Sequence, residues 1–314
     1  MVGNIMTAQP RPRPPPGEKR PEAFSVNLNV GGRPLRLLGL PTGTVAIKKK
    51  HMCCACQEDT NYPSRFADIL ADSEFAPPLP VYTYAIEHPD GTRVAVDTGT
   101  DPLYWDPATW KGNERDMSVM HSCILLDILP KESLAEQLTK QGMQPVGFRG
   151  VVLTHMHVDH TGGVPIFGPS VPVWTSKAEI ENGSKIGAIM WRWSSNAQLV
   201  TVEDAGTNGE VGLTEDGSVA VVHTPGHTPG SLSVRIRTDS GVVWLCGDST
   251  FDLPGMKDDA VLCGIHFYPE LVRKEHERLR AEVAKGALVL PSHDWTAPER
   301  ARAFAAGERP SMPV

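Results

Sequence analysis

Long hydrophobic runs are missing from this 314-residue chain: its apolar stretches, such as Val242 to Cys246, have the length of single strands. A membrane span needs about 18 consecutive apolar residues, so none is expected. The first 20 residues carry Arg11, Arg13, Lys19 and Arg20 but no apolar stretch leading to a cleavage site, so no secretory signal is read and the cytoplasm is the expected location. Cysteine is scarce as well, six in all, too few for a disulfide framework. An excess of positive charge is also lacking: 30 Lys and Arg stand against 37 Asp and Glu, a net −7 with no bulk attraction for nucleic acid or anionic lipid. What is present is 40% hydrophobic residues, with 29 Gly and 28 Pro, the composition of a turn-rich globular protein and not of a coiled coil or a disordered chain.

Residues 1–24 hold six prolines and almost nothing that could enter a core, so they read as an extended tail, disordered or draped. Residues 25–80 read as a loop-rich segment packed on the rest, and 81–314 as the main domain. There VYTYAIE, the turn HPDG and TRVAVD predict a β-hairpin that ends at Asp97-Thr98-Gly99. Further strands are expected at 150–154, 171–174, 219–223, 232–237, 242–246 and 287–290. Helices are expected at 131–141, closed by Gly142, at 269–285 and at 297–306. Several strands precede each helix, which predicts an α/β protein of mixed sheets covered by helices.

The chemistry concentrates in Thr154-His155-Met156-His157-Val158-Asp159-His160-Thr161-Gly162-Gly163, where an apolar strand meets a glycine turn. By composition alone an HxHxDH pattern would arise in roughly one such chain in a thousand. On extended backbone His155 and His157 share a face, and the turn lets Asp159 and His160 serve a second point nearby. More ligands are needed, and they follow later apolar runs: His227 in TPGHTPG, Asp248 in LCGDS and His293 in LPSHD. The sorting is His155, His157 and His227 for one metal and Asp159, His160 and His293 for the other, with Asp248 between them. Imidazole and carboxylate without thiolate favour two Zn2+ per chain, with Co, Mn or Fe as alternatives.

HxHxDH, TPGHTPG, GD and a late His, after a hairpin that ends in DTG, resemble the metallo-β-lactamase superfamily of hydrolases over about residues 80–300. The resemblance implies a single-domain αββα sandwich with a dinuclear metal site at one edge. Within the superfamily the chain is most similar to the N-acyl-homoserine lactonases, the quorum-quenching branch. The steps of 67, 21 and 45 residues from His160 to His227, Asp248 and His293 match that branch, as does LPVYTYAIEHPDGTRVAVDTG. Class B1 β-lactamases differ in using a Cys ligand, a role that Cys246, two residues before Asp248, does not fill. Thioesterases of the glyoxalase II type differ in their intervals, nucleases in wanting a basic exosite, and flavodiiron proteins in carrying Glu where this chain has His157.

The implied mechanism is attack by a hydroxide bridging the two metals on the carbonyl of a lactone, with Asp159 as the catalytic residue that orients it and hands a proton to the leaving alkoxide. Lactonases of this branch carry Tyr three residues after the bridging Asp, near the substrate carbonyl, and here that position is Phe251. Another group takes the hydroxyl's place, the rate falls, or the substrate is a different one: an aryl ester, thioester, phosphodiester or β-lactam. Pocket walls are expected from Phe251, Tyr104, Trp105, Met190, Trp191 and Trp193, with core or homodimer packing as the alternative for these apolar segments. Asp97 and His223 are expected to buttress ligands or their loops. Cys53, Cys54 and Cys56 form an isolated cluster with no second pair. The expected partner is a small lactone or ester, not nucleic acid and not a membrane.

Overall fold

Alternation of apolar residues sets the layers, because side chains of successive strand residues point to opposite faces. The structure is a computed structural model that describes residues 19–53, 61–110, 113–183, 197–205 and 210–312. Two sheets face one another. The first contains β1 (Phe24–Val30), β2 (Arg33–Ile47), β3 (Leu79–Glu87), β4 (Arg93–Val96), β6 (Gly150–Val152), β7 (Val173–Thr175) and β8 (Leu199–Thr201) in that order, with β5 (Ile124–Asp127) paired to β2. The second runs β13 (Leu288–Pro291), β12 (Gly241–Gly247), β11 (Leu232–Thr238), β10 (Val219–His223), β9 (Glu210–Gly212). Pairing is antiparallel through β1 to β4, then parallel through β4, β6, β7 and β8.

Leu35 and Leu37 of β2, Tyr84 and Ile86 of β3, and Val94 and Val96 of β4 meet Val243, Leu245, Leu288 and Leu290 of the second sheet in one buried cluster. The opposite face of the first sheet, with Leu38, Leu40, Ala85, Ala95 and Val151, packs on Leu134 and Leu138 of the helix Leu134–Lys140. The outer face of the second sheet, with Trp244, Cys246 and Val289, packs on Leu279 and Val283 of the helix Pro269–Ala284. Helix, sheet, sheet and helix therefore form four layers, and burial on both faces is why the parallel strand β6, Gly-Val-Val, carries no polar side chain. The expected helices and the strands from residue 81 onward are all present, and Gly142 takes φ 70° just beyond its helix.

The N-terminal reading needs correction. Residues 25–80 are not loop-rich: β1 and β2 form a hairpin through Gly31-Gly32, and β2, 15 residues long, pairs along β3. The described end of the tail is draped on this body. The Tyr82 hydroxyl donates to Glu22 O at 2.9 Å, and Arg20 Nε donates to Glu132 Oε1 at 2.9 Å. Residues 1–18 lie outside the described residues. No described helix is long and apolar enough to cross a membrane.

Candidate metal centre

Strand ends deliver the site. His155 and His157 follow β6, His227 follows β10, Asp248 is the residue after β12, and His293 comes two residues after β13. The chain turns at His157 into the short helix Val158–Thr161, which carries Asp159 and His160. His155 Nε2 lies 2.9 Å from His157 Nδ1, and His227 Nε2 lies 3.0 Å from the same atom. Asp248 Oδ2 stands 3.7 Å from His155 Nε2 and 3.5 Å from His227 Nε2. Its other oxygen, Oδ1, is 3.3 Å from His160 Nε2 and 3.2 Å from His293 Nε2, while Asp159 Oδ2 is 3.6 Å from His293 Nε2. Two groups result: His155, His157, His227 and Asp248, and Asp159, His160 and His293, with the ligand atoms of each group within 4.8 Å of one another. The Asp248 carboxylate reaches both.

Hydrogen bonds fix the tautomers. The Thr154 hydroxyl donates to Asp97 Oδ2 at 2.8 Å, so it accepts from His155 Nδ1 at 3.1 Å, which leaves His155 Nε2 as a lone pair facing the site. His160 Nδ1 donates to Asp97 Oδ2 at 2.8 Å, and His293 Nδ1 donates to Pro80 O at 2.7 Å. His227 Nδ1 meets His266 Nδ1 at 3.0 Å. Orientation of a ligating imidazole through its other nitrogen is the usual support for a metal site.

The titration follows from burial and charge. Burial pushes His155 and His227 well below the ordinary imidazole value and His157 down to about 4. His160 and His293 move upward although burial works against it, because Asp248, with Asp97 at the first and Asp159 at both, favours their charged forms. Asp248 is held well below the usual carboxylate range: burial would raise it, and His293, His160 and His155 outweigh burial.

These residues fit a pair of divalent cations. His160 Nε2 and Asp248 Oδ1 are buried without a hydrogen-bond partner, and the imidazole nitrogens of the first group converge on one another. Uncompensated, such atoms cost about 1–3 kcal/mol each. The oxygen and nitrogen donors suit Zn2+. Cys246 lies in the core cluster beneath the helix Pro269–Ala284, where burial pushes its thiol up, so it is no ligand.

Two carboxylates tie the ligand loops together. Asp97 is the one described non-glycine residue with positive φ, 58°, and it also accepts from Thr154 N at 2.7 Å. Asparagine tolerates that backbone conformation, so Asp97→Asn keeps the turn while it removes the charge and sets an amide N–H against one of these donors. We expect it to weaken metal binding about 10–100-fold, read by competition with a chromogenic chelator. Glu179, fully buried, accepts from Met156 N at 2.7 Å in the first ligand loop and from Thr228 Oγ1 at 2.7 Å and Gly230 N at 3.1 Å in the second. Glu179→Gln puts an amide N–H among these donors and is expected to cost about 2–4 kcal/mol of stability, measured by urea unfolding. Sequence reasoning passed over Glu179. Its signal is Ser176-x-x-Glu179 after the apolar run at β7, where the Ser176 hydroxyl oxygen caps Glu179 N at 3.0 Å. Gly247, at φ 53°, is required before Asp248, since a Cβ there would lie 2.5 Å from Thr154 Oγ1.

Phe251 is buried beside the site, its ring centroid 5.2 Å from that of His293 and 5.9 Å from that of His227. It also lines a cavity of about 280 Å3 with Met52, Leu262, Cys263, His266 and His276. Tyr104 is core and not an open wall: it is fully buried, its hydroxyl donates to Ile124 O at 3.2 Å, and Trp105, Trp110 and His121 pack round it. Trp105, half-buried, donates to Leu126 O at 2.7 Å. His223 has no hydrogen bond to a ligand loop among the described residues; its Nε2 is buried without a partner, and the charge that bears on it is Glu203. It is the last residue of β10, four residues before His227, and pairs with Leu232 of β11. Met190, Trp191 and Trp193 lie outside the described residues, as do Cys54 and Cys56; Cys53 is exposed.

Known proteins resemble this chain over most of its length. The N-acyl homoserine lactonase of Bacillus cereus is 27% identical over 220 residues, 69% of this chain and 82% of that protein. The N-acyl homoserine lactonase AiiA of Bacillus thuringiensis subsp. kurstaki is 26% identical over 232 residues, 72% of this chain and 86% of that protein. Among solved structures, an N-acyl homoserine lactone hydrolase with the product N-hexanoyl-L-homoserine at its catalytic metal centre superposes with TM-score 0.62 at 20% identity, covering 82% of this chain and 92% of that one. AidC, a dizinc quorum-quenching lactonase, gives TM-score 0.59 at 13% identity, covering 87% and 91%. Residues 76–310 match the profile of the Metallo-beta-lactamase superfamily, and the chain belongs to that family.

Proposed function

We propose that this chain is a dinuclear metal-dependent hydrolase that opens a lactone ring, an N-acyl-homoserine lactone or a related one. The observation that carries the reading is the single Asp248 carboxylate with one oxygen toward each ligand group. The curated relatives named N-acyl homoserine lactonase support the substrate class. His155, His157, His227 and Asp248 would hold one cation, and Asp159, His160 and His293, sharing Asp248, the other. When bound, two divalent cations would lower the pKa of a shared water and polarise the carbonyl under attack.

The protein's own groups do the positioning. Asp159 would orient the nucleophile and pass a proton to the leaving alkoxide, a reading supported by its near-complete burial and by its Oδ2 lying 3.6 Å from His293 Nε2. Phe251 closes one wall and excludes water without offering a hydroxyl. That missing hydroxyl keeps a second reading alive, an aryl ester, thioester or phosphodiester on the same site. Metal analysis combined with a pH-indicator assay on zinc-loaded protein separates them, using short- and long-chain homoserine lactones, δ-lactones, an aryl ester and nitrocefin. Two metals with lactone turnover, both reduced in His157→Ala, is the expected result. Two metals with no lactone turnover would transfer the site to the second reading.

A further inference from the structure

A histidine that no motif marks reaches the site from the N-terminal segment. His51 lies in the short helix Lys49–Met52 and is buried. Its ring centroid is 6.4 Å from that of Phe251, the side chain that also packs on His227 and His293. The charged groups that act on it are His157, Asp248 and His293, drawn from both ligand groups. Its backbone is held at both ends of the turn: Lys49 N donates to Glu74 O at 3.0 Å, and Gly264 N donates to His51 O at 2.9 Å. Its ring is not held in the same way, for Nδ1 is buried without a hydrogen-bond partner.

A buried imidazole nitrogen without a partner is costly. His121, His223 and His276 also carry one, and of these four described histidines His51 is the one whose ring meets Phe251 at the site. Burial, with His157 and His293 nearby, keeps the ring uncharged, its pKa down to about 3, so it carries one N–H and does not repel cations. Hydrolysis of an ester places negative charge on the former carbonyl oxygen, and a donor aimed there from a dry wall stabilises the transition state more than the ground state. Phe251, on the same wall, has no donor to give.

We infer that His51 is a catalytic hydrogen-bond donor of this site, one that contacts the oxygen of an ester or lactone as its carbonyl carbon becomes tetrahedral. The proton stays on His51 throughout. The inference rests on the hydrolase reading above, and deepens it by naming the group that does what a hydroxyl at position 251 would do.

The test uses zinc-loaded full-length protein and the variants His51→Ala, His51→Gln and His51→Leu, each checked for two metals per chain. Calorimetric binding of methylphosphonate, a tetrahedral oxyanion that needs no turnover, is the first readout. His51→Ala is expected to bind it about 10-fold more weakly, and His51→Gln, which keeps a donor, to lie within about threefold of wild type. For any substrate the wild type hydrolyses, kcat is expected to fall about 100-fold in His51→Ala with KM within about threefold. Unchanged phosphonate affinity and kcat in a two-metal His51→Ala protein would overturn the inference. Should that variant fail to fold, His51→Gln and His51→Leu decide, and equal behaviour of the two would overturn it. Lactone turnover indifferent to His51 sinks this inference alone, whereas His51-dependent phosphonate binding without lactone turnover sinks the lactonase reading alone.

Discussion

Asp248→Ala is expected to bind no more than one cation per chain tightly and to lose hydrolytic activity about a thousandfold or more. Asp248 is the described residue with an oxygen toward each ligand group, so its removal takes a charged donor from both at once. Several kcal/mol of Lewis-acid stabilisation depend on those cations, and each 1.36 kcal/mol is a factor of ten in rate. His160 and His293 owe their raised proton affinity first to this carboxylate, so its removal lowers both in the metal-free protein, with Asp97 and Asp159 still acting on the first and Asp159 on the second. Metal content by mass spectrometry after dialysis, alongside far-ultraviolet circular dichroism, measures the loss. Two cations retained at wild-type affinity would remove Asp248 from its bridging role. Asp97→Asn is expected to be milder, because it leaves every ligand in place.

Acidification is expected to unfold the protein steeply between pH 6 and pH 4. Burial lowers His51 and His266 to about 3 and His276 to about 4, so all three are neutral in the folded chain where the unfolded chain, near 6.5, takes up protons. The unfolded state then binds at least these three more protons, and in the metal-free chain His155, His157 and His227, also lowered by burial, add to the same side, so stability falls by at least about 4 kcal/mol per pH unit as the pH drops. Their contribution is complete above pH 6.5 and lost toward pH 3–4. His160 and His293, with raised pKa, are silent in this window, since both states are protonated below 6.5 in the metal-free chain. Asp248, with lowered pKa, adds its own loss only below about 3.8. Native stability of about 5–15 kcal/mol would be exhausted within about one to four pH units. Urea midpoints at pH 7, 6 and 5, on protein freed of metal so that proton-driven metal release does not contribute, give the slope. A flat profile from pH 7 to pH 5 would contradict it.

Local pattern was enough for most of the molecule. HxHxDH on a strand end, TPGHTPG and GD are short segments whose geometry is set by neighbouring residues, so the seven candidate ligands and their sorting were legible without a fold. The hairpin at 79–96 and the helix Pro269–Ala284 carried clear periods of their own. β2 did not. From Leu37 onward nearly every residue is buried, which erases the period of two, and Pro34, Pro41, Gly39 and Gly43 imitate loop punctuation. The structure accommodates them with a register shift between Pro41 and Thr44: up to Gly39 β2 pairs with β1 as well as β3, and from Thr44 it pairs with β5 as well as β3.

What the sequence by itself determined is the set of candidate ligands, the sheets with their helical covers, and the chemistry those donors suit. Only tertiary structure decided that Asp248 has an oxygen for each group, that Asp97 orients His160 while Thr154 relays it to His155, and that Glu179 clamps two ligand loops. It also decided that Tyr104 is core, and that His51 and His266 stand beside the ligands. The physical reason is range: ligand motifs are fixed within a few residues by strand and turn geometry. These supports depend on contacts between segments tens to hundreds of residues apart, which no local period encodes.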